Sequence, residues 1–268
     1  MNIIFFGNQK LVQGIKADVA TITNALVAAG HNIIATISTK EDLAKVPIIV
    51  AANPNAIAVL ASFGYIVPAS IIELFEPIGI LNIHPSLLPK YRGPTPIETP
   101  ILNGDTKTGI SIMKLATAMD AGPIYAQKTL PISQEDNKFT LCEKLTSLGA
   151  QTLVELLKKD IVNSTTPQNH TEATYTQKLT KSMSNLQPSL KTALQLDREV
   201  RAFLNFPKSK LTLLNIPCTI TATHTSPTPN TSLDQKCIDG NYLIIDELIP
   251  ENSKKMTAQA FLNGHKKS

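Results

Sequence analysis

The stretch 82–96, Asn-Ile-His-Pro-Ser-Leu-Leu-Pro-Lys-Tyr-Arg-Gly-Pro-Thr-Pro, restricts the folds open to this chain more than any other. An apolar run through Gly79, Ile80 and Leu81 breaks at Asn82, Ile83 and His84, so two polar side chains stand where a buried strand should end. Side chains alternate along a strand, which sends Asn82 and His84 to one face and Ile83 to the other. Pro85, Pro89, Pro94 and Pro96 lack a backbone donor and push the residue before each toward extended geometry, so 86–95 is expected as an ordered loop rather than a helix. Such a loop leaves backbone N–H and C=O groups available to a planar heterocycle. Polar residues at the end of a buried strand are what parallel α/β sheets present at their active edge.

The flanking sequence supports such a sheet. Residues 2–6 form a short apolar strand closed by Gly7, a Rossmann-like opening without the Gly-x-Gly-x-x-Gly that a dinucleotide requires. Val19, Ile22, Ala25, Leu26 and Ala29 recur at helical spacing over 17–29, with Gly30 as the stop. Further strands are expected at 32–37, 46–51, 56–61, 108–115 and 124–130, and short helices at 69–75 and 96–103. A long helix opens at Asp136 and runs to Lys158, with Leu141, Leu145, Leu148, Thr152, Leu156 and Leu157 on or near one face. This alternation predicts an α/β fold with a mostly parallel sheet, flanking helices and right-handed connections. Beyond Lys181, 190–204 reads as a helix through Leu190, Leu194, Val200, Phe203 and Leu204. Short strands at 210–214, 218–223 and 242–245 follow, interrupted by the Pro- and Ser/Thr-rich 226–232, and Thr257 caps a last helix over 258–262.

Composition bounds what such a fold can do. With 268 residues, 43% of them hydrophobic, the chain can bury a sizeable core. Ile3, Ile4, Phe5 and Phe6 give way at once to Gly7, Asn8, Gln9 and Lys10, too short a run for a signal peptide, and no stretch approaches membrane-spanning length, so a cytoplasmic protein with no membrane partner is expected. Cys142, Cys218 and Cys237 are far apart and, with His31, His170, His224 and His265, form no ligand spacing; reduced thiols and no metal are expected. Charge is uneven: residues 1–175 carry 13 basic against 14 acidic side chains, whereas 176–268 carry 12 against 7. A basic C-terminal third is either an ordinary solvated surface or a face for a phosphate backbone.

The central stretch resembles the signature of the folate-dependent formyltransferases, in which an Asn-x-His strand end is followed by Ser-Leu-Leu-Pro, a basic-aromatic pair and Gly. Here those are Asn82 and His84, then Ser86, Leu87, Leu88 and Pro89, then Lys90, Tyr91, Arg92 and Gly93. Ser62, Phe63, Gly64, Ile66, Val67 and Pro68 match a second element of that family. An Asp before Gly is most often a turn residue, but the resemblance gives Asp120, in the run Met119, Asp120, Ala121, Gly122, the role of the family's acidic residue beside the Asn-x-His pair. Ala173, Thr174, Tyr175, Lys178 and Leu179, then Arg201, Ala202 and Phe203, and finally 258–262 resemble methionyl-tRNA formyltransferases through their appended small barrel. The resemblance implies a catalytic domain at 1–175, a linker at 176–188 and an OB-like, tRNA-binding β-barrel domain at 189–268.

It also implies chemistry. The formyl group of 10-formyltetrahydrofolate, the expected cosubstrate, would be attacked directly by an amine, with Asn82 donating to the tetrahedral oxyanion, His84 acting as donor or base and Asp120 orienting it and relaying a proton. The folate is expected against backbone groups of Ser86, Leu87, Leu88 and Pro89 and of Met119, Ala121 and Gly122. The acceptor is expected to be methionyl initiator tRNA, meeting Lys40, Lys90, Arg92, Lys208 and Lys210, and the enzyme a monomer. Between Ser38 and Ile57 the chain is shorter than is usual in that family, the C-terminal barrel is abbreviated, and Pro85 stands where Gly is more common. A short first loop would also suit an amino sugar nucleotide or another small amine as acceptor, against which stand the basic C-terminal third and the C-terminal resemblance; a catalytically silent RNA-binding protein is a third reading, and the joint presence of Asn82, His84 and Asp120 argues against it.

Overall fold

The computed structural model of the chain describes residues 1–8, 18–162 and 164–265; Gln9, Lys10 and Ala17, used in the sequence reading, lie outside them. Two compact units emerge: Met1–Ile97, Thr106–Ser133 and Phe139–Gln177 form one, and Glu98–Asp105, Gln134–Lys138 and the chain from Lys178 form the other.

The first unit is built on a six-stranded sheet of β1 (Asn2–Phe6), β2 (Asn32–Ile37), β3 (Ile57–Leu60), β4 (Ile80–His84), β5 (Lys107–Lys114) and β6 (Ile124–Pro131), in the spatial order β2-β1-β3-β4-β5-β6. The first four strands are parallel, and β5 and β6 continue the sheet antiparallel. Strands buried on both faces need continuous apolar sequence, and Ile3, Ile4, Phe5 and Phe6 are fully buried. One face carries Ile4, Phe6, Ala58 and Ile80 under Phe63, Val67, Ile71, Ile72 and Phe75. Phe6 meets Phe63 and Phe75 edge-on, with ring centroids 5.7 and 6.1 Å away. Asn82 and His84 share the face of Ile80 by strand alternation, so that face is apolar where β4 begins and polar where it ends.

Helix α1 (Asp18–Ala28) follows β1, and the α2 helix (Val46–Ala52) lies between β2 and β3. The latter corrects the strand expected at 46–51. Pro47 sits in the first helical turn, where no backbone donor is needed, and Val46 is fully buried while Ile48 is 75% exposed, the one-sided burial of a surface helix. The short helix α3 (Ala69–Ile72) leads into β4. Helix α5 (Lys138–Leu157) comes later in the chain than α4 (Glu98–Asn103), which belongs to the second unit. Along α5, Leu141, Leu145, Leu153 and Leu157 are buried, and a side chain at Gly149 would come within 2.9 Å of Ile83. The helix therefore covers the Ile83 face and leaves the Asn82 and His84 face to the site.

In the second unit, α6 (Ala193–Ala202) starts at a capping box, Thr192 accepting from the Gln195 N–H while the Gln195 side chain accepts from Thr192. Its buried stripe is Ala193, Leu196, Val200 and then Phe203, whereas Leu190 and Leu194 are exposed, so the face expected from the sequence is rotated. The stripe packs on an antiparallel sheet of β7 (Ser209–Leu213), β8 (Ile216–Ser226), β9 (Gln235–Lys236), β10 (Tyr242–Pro250) and β11 (Met256–Thr257), with the last helix α7 (Ala258–Gly264) contributing Phe261. The hydrogen-bonded path runs β11-β10-β8-β7, with β9 on β10, in keeping with an abbreviated OB-like half-barrel. Leu186, in the segment expected as a linker, joins this core and donates its N–H to Lys210 O at 3.1 Å.

Candidate active site

One parallel neighbour, β3, and one antiparallel neighbour, β5, hold the end of β4 in place. Asn82 lies opposite Leu60 of β3 and Met113 of β5, and His84 opposite Ser111. Both polar side chains are buried. His84 Nε2 stands 3.0 Å from the Tyr91 carbonyl oxygen. A carbonyl only accepts, so Nε2 carries the proton and donates, leaving the lone pair of the neutral ring on Nδ1. Nδ1 faces Asp120 Oδ2 at 3.7 Å. That gap is too long for a direct hydrogen bond but within reach of an ion pair once the ring is protonated.

Asp120 lies between β5 and β6 with φ 48°, a left-handed backbone that Asp tolerates better than most residues. Its Oδ2 accepts the Gly93 N–H at 2.7 Å. Two residues on, a Cβ at Gly122 would run into the Lys114 carbonyl, so only glycine lets the loop pass this close to β5. Gln168 donates through Nε2 to Asp120 O at 2.8 Å and to Gly122 O at 2.7 Å. Met119 is exposed, and the Ala121 N–H donates to Ala118 O at 3.3 Å.

The loop after β4 is ordered, as the prolines require, and holds itself together with its own backbone groups. Ser86 Oγ donates to Lys90 O at 2.6 Å, Ser111 Oγ donates to Ser86 O at 2.6 Å, and the Leu88 N–H donates to Ser111 Oγ at 3.1 Å. Gln127 Nε2 donates to Leu88 O, Lys90 N–H to Leu87 O and Thr174 N–H to Pro89 O. These bonds engage the carbonyls of Ser86, Leu87, Leu88 and Pro89, and Ser86 and Leu88 are themselves buried. Farther along, Tyr91 N–H donates to Thr174 Oγ1 at 2.9 Å and Thr95 N–H to Thr176 Oγ1 at 3.1 Å. Ser111, Gln127, Gln168, Thr174 and Thr176 are thus structural members of the site that the sequence reading missed. Thr174 lies in a segment marked only by family resemblance, and the others are ordinary polar residues distant in sequence, with no spacing to mark them.

The cations divide. Lys40, Lys90, Lys208 and Lys210 are exposed. Arg92, expected at a phosphate backbone, is only 2% exposed. Its Nε and Nη2 donate to Gln168 Oε1 at 3.2 and 2.6 Å, Nη2 also to His170 Nδ1 at 3.0 Å, and Nη1 to Tyr175 OH at 3.3 Å. A guanidinium so enclosed is held by the protein and offers no face to a nucleic acid, which corrects its assignment. Lys40 opens a turn in which the Asp42 carboxylate accepts from the Ser38 and Thr39 N–H groups at 3.2 and 3.1 Å and pairs with Lys45 at 2.8 Å. The Lys45 hydrogen bond first, then those from Ser38 and Thr39, hold the Asp42 carboxyl far below the ordinary carboxylate range. Among the described residues no group of three His, Cys, Asp or Glu is placed to hold a metal, and no helix is long and apolar enough to cross a membrane.

Comparison with known proteins gives this geometry a context. Residues 2–157 match the formyl transferase family. A methionyl-tRNA formyltransferase of Enterococcus faecalis is 35% identical over 220 residues, 77% of this chain and 70% of that protein. Other relatives of the same name are matched over 41% to 73% of their own length. Among solved structures, HypX from Aquifex aeolicus in complex with tetrahydrofolic acid superposes with a TM-score of 0.71 at 14% identity, over 97% of this chain and 46% of that one. Methionyl-tRNA formyltransferase from Clostridium thermocellum superposes with a TM-score of 0.64 at 17% identity, over 96% of this chain and all of that one, 100%. At such identities the superpositions speak to the fold.

Proposed function

Since this chain belongs to the formyl transferase family, we propose that it moves the formyl group of 10-formyltetrahydrofolate to the α-amino group of methionine esterified to initiator tRNA. The observation that carries this reading is the pairing of His84 Nδ1 with Asp120 Oδ2 at 3.7 Å beside Asn82, with the Tyr91 carbonyl holding the proton on Nε2. The amine attacks the formyl carbon, a C–N bond forms, and the carbonyl oxygen becomes an oxyanion. Asn82 donates an amide N–H to that oxygen; a donor of this kind contributes about 3 kcal/mol to the transition state. His84 Nδ1 takes the proton shed by the amine, and the Asp120 carboxylate stabilises the resulting imidazolium. The same proton passes to the folate N10 as its bond to the formyl carbon breaks. No side-chain nucleophile and no redox step enters.

The acceptor follows from the names of the relatives matched over most of this chain and from the basic C-terminal third. In this reading 1–175 carries the chemistry and 189–268 binds tRNA through exposed Lys208 and Lys210, with Lys40 and Lys90 on the catalytic domain, in the cytoplasm and as a monomer. Phosphate contacts of this kind weaken with salt. In this reading the pteridine lies along residues 86–89 and 119–122. The test is transfer of labelled formate from 10-formyltetrahydrofolate to purified methionyl initiator tRNA, beside elongator tRNA and an amino sugar nucleotide. Transfer to the initiator alone is expected. Transfer to the sugar nucleotide alone would replace the acceptor, and no transfer to any of them by folded protein would remove the enzymatic reading.

A further inference from the structure

Gln168 lies 48 residues beyond Asp120 and is 7% exposed, yet every hydrogen-bonding position of its amide is directed at the site. Both N–H groups go to one loop, at Asp120 O and Gly122 O, 2.8 and 2.7 Å away. Its oxygen accepts from Arg92 Nε and Nη2. Arg92 is in turn followed by Gly93, whose N–H donates to Asp120 Oδ2 at 2.7 Å. The bonds close a circuit: Arg92 side chain, Gln168 amide, Asp120 backbone, Asp120 carboxylate, Gly93 N–H, and back along the chain to Arg92. One arm fixes the left-handed backbone of Asp120, the other its carboxylate. We propose that Gln168, braced by the buried Arg92 guanidinium, is a positioning residue that sets Asp120 against His84 Nδ1.

The proposal rests on the reading of Asp120 as partner of His84. A buried amide with all its donors and acceptor in use has one orientation, because turning it over would set its oxygen against two carbonyls and its N–H groups against a guanidinium. Tyr175 OH and His170 Nδ1 take further Arg92 donors and keep the buried cation hydrogen-bonded. The circuit thus transmits the position of residues 168–175 to the carboxylate.

The experiment measures kcat, both KM values and melting temperature for Gln168→Leu, Asp120→Asn and the double variant in formyl transfer to methionyl initiator tRNA. Gln168→Leu is expected to lower kcat by about 10- to 100-fold, the cost of misplacing a reacting group by a fraction of an ångström to an ångström. Both KM values should stay within about threefold, and in the Asp120→Asn background the second change should cost nothing further, since residues acting as a unit are not additive. A wild-type kcat in Gln168→Leu, or an equal loss with and without Asp120, overturns the proposal while leaving the Asp120 reading intact. A wild-type kcat in Asp120→Asn overturns both. Should Gln168→Leu melt below the assay temperature, Gln168→Glu replaces it under the same criteria; it keeps an acceptor for Arg92 and removes the donors to Asp120 and Gly122.

Discussion

The two halves of the site are held in different ways. Asn82 and His84 stand on a strand whose position is set by ladders to Leu60, Met113 and Ser111. Asp120 stands on a loop in a left-handed conformation, fixed by Gly93, Gln168 and the space left by Gly122. The strand half gets its geometry from main-chain pairing, which any strand-forming sequence there supplies. The loop half gets its geometry from particular side chains far away in sequence. A regular element tolerates change around its functional residues, and a networked loop does not.

That contrast can be broken most sharply at the strand half. His84→Ala removes the base while leaving the ladder intact, and kcat for formyl transfer should fall by about 10²- to 10⁴-fold. Asn82→Ala should cost about 10²- to 10³-fold in kcat and spare the KM for folate, the mark of a donor used in the transition state. Equal losses in KM would instead make Asn82 a binding group. Ser111→Ala probes the support between the halves. Its hydroxyl, fully buried, accepts from the Leu88 N–H and Gln127 and donates to Ser86 O. Orphaning those buried groups should lower stability to denaturant by about 1–3 kcal/mol, with a kcat change of only a few-fold.

The smallest effect is expected at the turn opened by Lys40, where Asp42 is held by bonds from residues at most four positions away. The folded-state pKa of Asp42 is depressed, so its stabilisation is present at neutral pH and lost as the pH falls through the folded value. Asp42→Ala should therefore melt below the parent at pH 7, the two curves drawing together as the pH drops beneath the ordinary carboxylate value of 3.8. A difference that persists unchanged into acid would place the contribution in packing rather than charge.

Legibility in the sequence follows the same line. Alternation across Ile80, Asn82 and His84 placed two catalytic candidates on one face because period two is a local property of a strand. Asp120 came from family resemblance; by residue type it is only a turn aspartate before glycine. The apolar run from Val46 reads equally as strand or helix, and the structure resolves it through Pro47 in a first turn and the exposure of Ile48. The α6 face was rotated because Leu190 precedes the Thr192 cap and so never enters the helix. Strand β10 runs on to Pro250 across Asp246 and Glu247 by way of a register irregularity that no hydrophobic pattern announces. Arg92 looked like a surface cation because its burial depends on Gln168, His170 and Tyr175, more than seventy residues on, as the separation of 76 to Gln168 shows.

The most direct test is single-turnover formyl transfer by Asp120→Asn at saturating 10-formyltetrahydrofolate and methionyl initiator tRNA, with folate affinity measured on the same protein. The account predicts a transfer rate lower by at least about 10²-fold, the range for a group assisting proton transfer, with folate affinity close to wild type. A wild-type transfer rate from the folded variant would contradict it, for the carboxylate beside His84 would then take no part in the reaction.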